Sequence, residues 1–165
     1  MLKKIKAYLI RCLVLAFLIS CDSKAVYDEY QTLPNRWNKE NNLTFTFEAP
    51  DTTKTYNLFV NLRNNKDYQF NNLYLITGLE YPNGKTYIDT LEYKMAAPDG
   101  TLLGTGFTDV KQNKLWYKGY NQAFKFSETG TYTFTVEQAM RAYGAVEGVE
   151  DLKGVTEVGF RVEKQ

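Results

Sequence analysis

The fold is decided by residues 73–95, LYLITGLEYPNGKTYIDTLEYKM, in which two strand-like runs flank a proline–asparagine–glycine turn. Residues 73–81 are nearly all apolar, which is typical of an inner strand covered on both faces. Residues 86–95 place apolar side chains at alternate positions, as a half-buried strand does. Asn-Gly between two such runs is a strong hairpin signal, because a type I′ turn needs positive φ at both central residues. The stretch therefore predicts an antiparallel hairpin with Gly84 at positive φ.

The strand pattern recurs along the rest of the chain, with turns roughly every ten residues, a spacing typical of all-β domains. Further candidate strands are residues 43–47, 56–62, 102–107, 115–126, 131–136 and 155–162. Only residues 138–143 suggest a helix, and they fit the tail of a strand equally well. Short strands without crossover helices are typical of antiparallel sandwiches and barrels. We predict one all-β domain, an antiparallel, jelly-roll-like β-sandwich of about eight strands.

A bacterial lipoprotein leader precedes this domain. Residues 1–6 hold three lysines, residues 8–19 are apolar apart from one arginine, and the tetrapeptide Leu18-Ile19-Ser20-Cys21 follows. A basic start and a short apolar run are the pattern of a secretory signal. The tetrapeptide fits a lipobox, whose cysteine is acylated and becomes the first residue after cleavage. We predict a signal peptide at 1–20, a lipidated tether at 21–28 and the folded domain at 25–165. The alternative is a simple N-terminal anchor with an incidental cysteine.

Composition excludes several classes of enzyme and metal site. The 165-residue chain has no histidine, and its two cysteines, Cys12 and Cys21, both belong to the leader region. Catalytic triads and dyads that need histidine are therefore excluded. Zinc and iron–sulfur sites held by cysteines are excluded as well. We assign no cofactor and no catalytic residue.

Charge and loop chemistry restrict the possible ligands. Cleavage removes four of the 20 basic residues and none of the 19 acidic ones, so the mature chain carries 16 against 19, a net charge of −3. This balance argues against nucleic-acid binding, which needs a basic surface. Asp51, Asp99 and Asp109 lie in turn-like stretches and leave a calcium site conceivable. Aspartate is a common turn residue and no closely spaced acidic triplet is present, so no metal site is predicted.

Paired carboxylates are the catalytic apparatus that this composition still permits. Asp89 stands out because it is in phase with Leu91 and Tyr93, on the apolar face of its strand. A carboxylate there needs a partner, since an isolated buried charge is costly. We predict a structural ion pair of Asp89 with Arg63 or Arg141. A catalytic or ligand-binding acid is the less favoured interpretation.

Aromatic residues suggest a different kind of site. Trp116, Tyr117 and Tyr120, together with Trp37, could form an exposed platform on which sugar rings stack. Trp116 and Tyr117 are adjacent, so in a strand they point to opposite faces and one of them reaches the surface. The alternative is that these rings belong to the core, as most of the 25 aromatic residues must.

A series of short motifs runs through the mature chain. They are YNLFVNLRNN at 56–65, NLYLIT at 72–77, DTLEYKMA at 89–96, DG at 99–100, NKLWY at 113–117, GTYTF at 130–134, QAMR at 138–141 and LKGVTEVG at 152–159. In this order and spacing the chain resembles the gliding-motility lipoprotein GldH family, envelope proteins of Bacteroidota. No single motif is diagnostic, and the set covers essentially the whole mature chain.

The resemblance implies a non-enzymatic lipoprotein of the gliding machinery, linked to type IX secretion and acting through contacts with other envelope proteins. Only Cys21 carries over with a definite role, as the acylated residue that holds the chain on the bilayer. We expect an outer-membrane anchor with the domain facing the periplasm. The rival function is a glycan-binding envelope lipoprotein, which would show coplanar exposed aromatics over a groove, whereas a scaffold would show a flatter apolar patch. A histidine-free glycosidase is a weaker third possibility.

Overall fold

The computed structural model describes residues 24–106 and 108–165, and this part of the chain forms ten strands. They are β1 (Ala25–Thr32), β2 (Arg36–Asn38), β3 (Leu43–Glu48), β4 (Tyr56–Asn64), β5 (Asn72–Glu80), β6 (Thr86–Lys94), β7 (Lys111–Lys118), β8 (Thr131–Gln138), β9 (Asp151–Lys153) and β10 (Val155–Lys164). All the pairings between them are antiparallel. Within the described ranges, no helix is long and apolar enough to cross a membrane.

Eight of these strands form two four-stranded sheets with the pairing of a jelly roll. One sheet has the order β1-β10-β4-β7 and the other β3-β8-β5-β6. The nested pairs β1–β10, β3–β8, β4–β7 and β5–β6 are those of two Greek keys wrapped into a sandwich. The short strands β2 and β9 form a separate two-stranded sheet. The predicted antiparallel, jelly-roll-like β-sandwich is confirmed.

The core lies between the two large sheets and is built from alternate side chains of their strands. In β3, Leu43, Phe45 and Phe47 are buried while the residues between them are exposed. This alternation follows from the strand itself, because successive side chains point to opposite faces. At the centre, the Phe134 ring of one sheet stacks on the Phe160 ring of the other, with centroids 4.0 Å apart.

The hairpin predicted at residues 73–95 is confirmed as β5–β6, but its turn is not type I′. The Gly84 N–H donates to the Tyr81 carbonyl at 2.8 Å, which closes a four-residue turn. Gly84 has a φ of +82°, whereas Asn83 is not among the residues with positive φ. Because Pro82 fixes its own φ near −65°, the chain forms a type I turn followed by a left-handed glycine.

The structure differs from the local predictions in two segments, residues 25–28 and 138–143. β1 begins at Ala25, so residues 25–28 of the predicted tether are part of a strand. The candidate helix at 138–143 is absent. Gln138 is instead the last residue of β8, and its side chain accepts the Met140 N–H at 2.9 Å.

Two predicted strands also have different bounds. β7 is Lys111–Lys118 and does not extend to residue 126. The described residues of the predicted strand at 102–107 form only isolated bridges, Leu102 with Ala96 and Thr105 with Gln112. Since Ala96 follows β6 and Gln112 lies in β7, this segment spans the gap between the edges of the two sheets.

The edges of β6 and β7 face each other, and this side of the sandwich carries the candidate site. The Tyr93 hydroxyl of β6 donates to the Trp116 carbonyl of β7 at 2.6 Å. The segment 101–106 closes the same side beyond Tyr93. Towards the other end, near Tyr87, the space between the two sheets opens into a groove.

Candidate binding groove

A groove of about 670 Å³ opens where β6 begins and β7 ends. It is named the tyrosine groove here because four tyrosines contribute to it. Its lining residues are Tyr81, Tyr87, Tyr117, Lys118, Gly119, Tyr120, Asn121, Gln122, Ala123, Phe124 and Lys125. Tyr120 is 71% exposed and Tyr87 is 44% exposed, so both present ring surface to solvent. Among the described residues that line it are two lysines, one of which, Lys118, pairs with the Asp89 carboxylate.

Residues 119–125 leave β7 and form one rim of the groove, fixed near both ends. Gly119 has a φ of +100°, and a Cβ there would lie 2.5 Å from the Tyr56 carbonyl oxygen, so only glycine fits. At the other end, the Phe124 carbonyl accepts the Tyr56 N–H at 2.9 Å. Residues 121–123 between these points are exposed. The loop therefore places the amide side chains of Asn121 and Gln122 at the rim, between two fixed backbone positions.

Asp89 connects two of the lining side chains. Its carboxylate accepts a hydrogen bond from the Lys118 ammonium at 2.7 Å and another from the Tyr117 hydroxyl at 3.0 Å. The Lys118 nitrogen also lies 4.6 Å from the centre of the Tyr117 ring. Burial and the neighbouring carboxylate raise the pKa of Tyr117, so its hydroxyl remains a donor across the neutral range. The cluster orders one side of the groove.

The structure corrects the predicted arginine partners of Asp89. Arg63 lies in β4, on the face opposite the core, and pairs with Glu157 of β10. Its guanidinium carbon also lies 4.9 Å from the centre of the Tyr30 ring. Arg141 is exposed, and its backbone bridges to Gly148. The cation that pairs with Asp89 is therefore Lys118 of β7, and not an arginine as predicted.

The predicted aromatic platform of Trp116, Tyr117 and Tyr120 is divided between two faces. The Trp116 ring is 39% exposed on the outer face of its sheet, 4.4 Å from the buried Phe59 ring and 5.2 Å from Tyr120. Tyr117 is half-buried and turns inward. Trp37 is fully buried in the core. The exposed aromatic pair is therefore Trp116 with Tyr120.

Tyr81 and Tyr87 form the opposite wall of the groove, which was not predicted from the sequence. Their rings lie 5.2 Å apart at 62°, on either side of the hairpin turn. The length of the hairpin turn could have predicted this wall, because a three-residue loop makes these two positions diagonal neighbours on one face of the hairpin. Lys125 was missed for another reason, namely that residues 119–125 were assigned to a strand.

The remaining predicted site residues stand apart from the groove. Cys21 lies outside the described residues. The Asp51 carboxylate accepts hydrogen bonds from the Thr53 hydroxyl and N–H, which lower the pKa of Asp51 to about 2. Asp99 accepts the Thr101 N–H in the same way at 2.9 Å. No group of three or more potential metal-ligating side chains occurs in the described ranges. These two aspartates order their own turns.

Among solved structures, the chain is similar to BtGH115A, a family GH115 4-O-methyl-α-glucuronidase with specificity for decorated arabinogalactans. The TM-score is 0.42 at 12% identity, over 87% of this chain and 18% of that one. A structure of infectious bursal disease virus, Gx strain, has a TM-score of 0.41 at 14% identity, over 87% of this chain and 33% of the viral chain.

Relatives of known sequence are much closer. The family model for the GldH lipoprotein matches residues 25–162. A Flavobacterium johnsoniae protein named gliding motility lipoprotein GldH is 50% identical over 162 residues, which cover 98% of this chain and 99% of that protein. A Christiangramia forsetii protein named as a homolog of it is 50% identical over 145 residues, or 88% and 87% of the two chains. This chain belongs to the GldH lipoprotein family.

Proposed function

We propose that this chain is a non-enzymatic, lipid-anchored accessory of the gliding machinery, linked to type IX secretion. The observation that carries the proposal is the 50% identity to a protein named gliding motility lipoprotein GldH, over nearly the full length of both chains. The proposed mechanism is scaffolding, in which the domain contacts other envelope proteins and stabilises a membrane-associated complex. The anchor is the acylated Cys21, and the proposed location is the outer membrane, facing the periplasm.

The position of β1 supports close apposition of the domain to the bilayer. β1 begins at Ala25, so only the three residues 22–24 separate it from the proposed acylation site, Cys21. A fully extended link of this length reaches only about 10–14 Å, at roughly 3.3–3.6 Å per residue. The domain would therefore present its surfaces to partners at the membrane and not at a distance from it.

The state of Asp89 supports a role without catalysis. It is the carboxylate that the sequence analysis singled out, and it is already engaged by Lys118 and Tyr117. A general acid or nucleophile of a glycosidase instead needs a second carboxylate facing it across a substrate. Asp89 has the surroundings of a structural residue, which supports the proposed non-enzymatic role.

The experiment replaces residues 1–21 with an ordinary secretory signal, so that the domain is exported without an acyl anchor. In a strain that lacks the native gene, we expect this soluble form to reach normal abundance and to fail to restore cell gliding or protein secretion. The reason is that a domain with a net charge of −3 is not attracted as a whole to an anionic membrane. The matched control is Cys12→Ala in the full-length protein, which removes a leader cysteine that is not acylated and should restore both functions. Full rescue by the soluble form would show that scaffolding at the membrane is wrong.

A further inference from the structure

We propose that the tyrosine groove binds a segment of glycan, with a preference for sugars that carry a carboxylate. This inference goes beyond the scaffold role and does not depend on it. It rests on three features of the groove: two exposed tyrosine rings on opposite sides, a rim of side-chain amides, and an exposed lysine, Lys125, on the rim.

The exposed rings are held in place before any ligand arrives. Tyr120 is 71% exposed, and its ring is supported by Trp116 at 5.2 Å. Tyr87 is 44% exposed and is supported by Tyr81 at 5.2 Å. Aromatic rings offer a flat apolar surface that suits the C–H face of a sugar, and rings already ordered lose little freedom on binding.

The polar groups of the groove suit sugar hydroxyl groups. The Asn121 and Gln122 side chains are exposed at the rim, and each amide offers both donors and an acceptor. Lys118 donates to Asp89 and has two further N–H donors for a ligand. A site that combines stacking surface with a few oriented polar groups has the usual composition of a small-ligand groove.

The charge of the lining favours an acidic ligand. Lys118 and Lys125 line the groove. Because the Lys118 ammonium is paired with Asp89 at 2.7 Å, the positive charge offered to a ligand is mainly that of Lys125. Lys125 is exposed and lies on the rim, where it can meet a carboxylate of a uronic acid. The preference for a carboxylate therefore depends on Lys125.

An acidic peptide is the competing ligand, and the geometry favours it less. Peptides that add to a sheet need a continuous strand edge, and β7 ends at Lys118, where the lining becomes an irregular loop. The rim residues Asn121, Gln122 and Ala123 also provide no deep apolar socket for a peptide side chain. Stacking surface and amides at a shallow groove match a sugar better.

The test measures binding of the purified lipoprotein, in a detergent without a sugar head group, by isothermal titration calorimetry. The probes are hexamers of galacturonate, mannuronate and guluronate, their methyl esters, and poly-L-glutamate. We expect at least one oligouronate to bind more tightly than its ester and more tightly than poly-L-glutamate. Tyr120→Ala should weaken that binding about 5- to 10-fold, as expected for loss of one stacking ring. Lys125→Gln should weaken the acid more than the ester.

The control variants remove the same side-chain types elsewhere. Tyr143→Ala removes a fully exposed tyrosine, and Lys66→Gln an exposed lysine, neither of which lines the groove. Both should leave binding unchanged, and all four variants should unfold at the same denaturant concentration as the wild type. If no oligouronate binds, or if poly-L-glutamate binds as well and Tyr120→Ala has no effect, the proposal is wrong. Equal binding of acid and ester would overturn the preference for carboxylate.

Discussion

Glu163 is a buried residue, 8% exposed, and its carboxylate is held between two cations. It accepts hydrogen bonds from the Lys114 ammonium and the Arg161 Nε–H, each at 2.7 Å. Burial by itself would raise the pKa of Glu163, but these two partners outweigh burial and the pKa is lowered. The ionised form therefore stabilises the fold above the pKa of the unfolded chain, and this stabilisation is lost as pH falls through the folded-state pKa.

We expect the free energy of unfolding to fall on acidification below about pH 4.5, in part because Glu163 must take up a proton. Glu163→Gln removes this titration, so its stability should vary less with pH than that of the wild type. Urea unfolding between pH 3 and pH 7 measures both curves. Glu147→Gln, at an exposed position, is the matched control and should follow the wild-type curve. Parallel curves for wild type and Glu163→Gln would contradict the assignment.

At the residue scale, the sequence located Asp89 on an inward face but could not identify its partner. The reason is a register shift in β7, where Trp116 faces Phe59 and Lys118 faces the next β4 residue, Leu58. Tyr117 is the extra residue of this bulge, and the bulge places Lys118 on the same side as Asp89. Strict alternation would instead have put Lys118 on the Trp116 face. A single bulge of this kind has no signature in the local sequence.

At the element scale, two glycines with nearly the same φ lie in very different surroundings. Gly84, in the β5–β6 turn, has a φ of +82°, and a Cβ there would meet nothing within 4 Å. Gly154, between β9 and β10, has a φ of +83°, and a Cβ there would lie 2.3 Å from the Tyr68 backbone nitrogen. Both positions strain an L-residue, but only Gly154 also produces a backbone clash.

We therefore expect Gly84→Ala to cost about 1–2 kcal/mol, the price of a left-handed alanine. Gly154→Ala should cost clearly more, because two backbone segments must separate to admit the methyl group. Gly148→Ala is the matched control, since Gly148 has no positive φ and a Cβ there lies at an ordinary 3.6 Å from the Met140 carbonyl oxygen. Urea unfolding of the three variants measures the order. Equal losses for Gly84→Ala and Gly154→Ala would contradict the clash.

The strands that could be predicted from the sequence are those with clear alternation of apolar and polar residues. The strands that could not be predicted lack this alternation for physical reasons. β1, AVYDEYQT, is an edge strand in which none of the residues is fully buried, so its polar composition suggested a tether. β2 and β9 have three residues each, too few to show a period of two. The groove could not be predicted for a similar reason. Its rim is a loop that is fixed by Gly119 and Phe124, and a loop has no periodic sequence pattern.

At the scale of the whole molecule, alternation and turn spacing predicted a sandwich, whereas the long-range pairings depend on how the two sheets close. The first large strand pairs with the last, so the termini of the described domain lie together and the sheets are completed by distant segments. Trp37, from the small β2–β9 sheet, is fully buried in the same core as Phe134 and Phe160. The small sheet is thus packed into the sandwich and is not an independent unit.

This packing predicts that the domain unfolds in one cooperative step. In a Trp116→Phe background the fluorescence of Trp37 reports the small sheet, while far-ultraviolet circular dichroism reports all the strands, and the two transitions should coincide. Phe160→Ala removes the ring that stacks on Phe134, and we expect it to cost about 3–5 kcal/mol and to move both transitions together.

The matched control is Ile88→Ala, which removes an apolar side chain that is 73% exposed and should change stability by less than about 0.5 kcal/mol. The comparison separates burial from mere loss of apolar surface, because both variants delete side-chain carbon and only one of them opens a cavity. A Trp37 transition at lower urea than the dichroism transition would show instead that the small sheet opens first. In that case Phe160→Ala would move the dichroism transition alone, because the Phe134–Phe160 stack joins the two large sheets to each other.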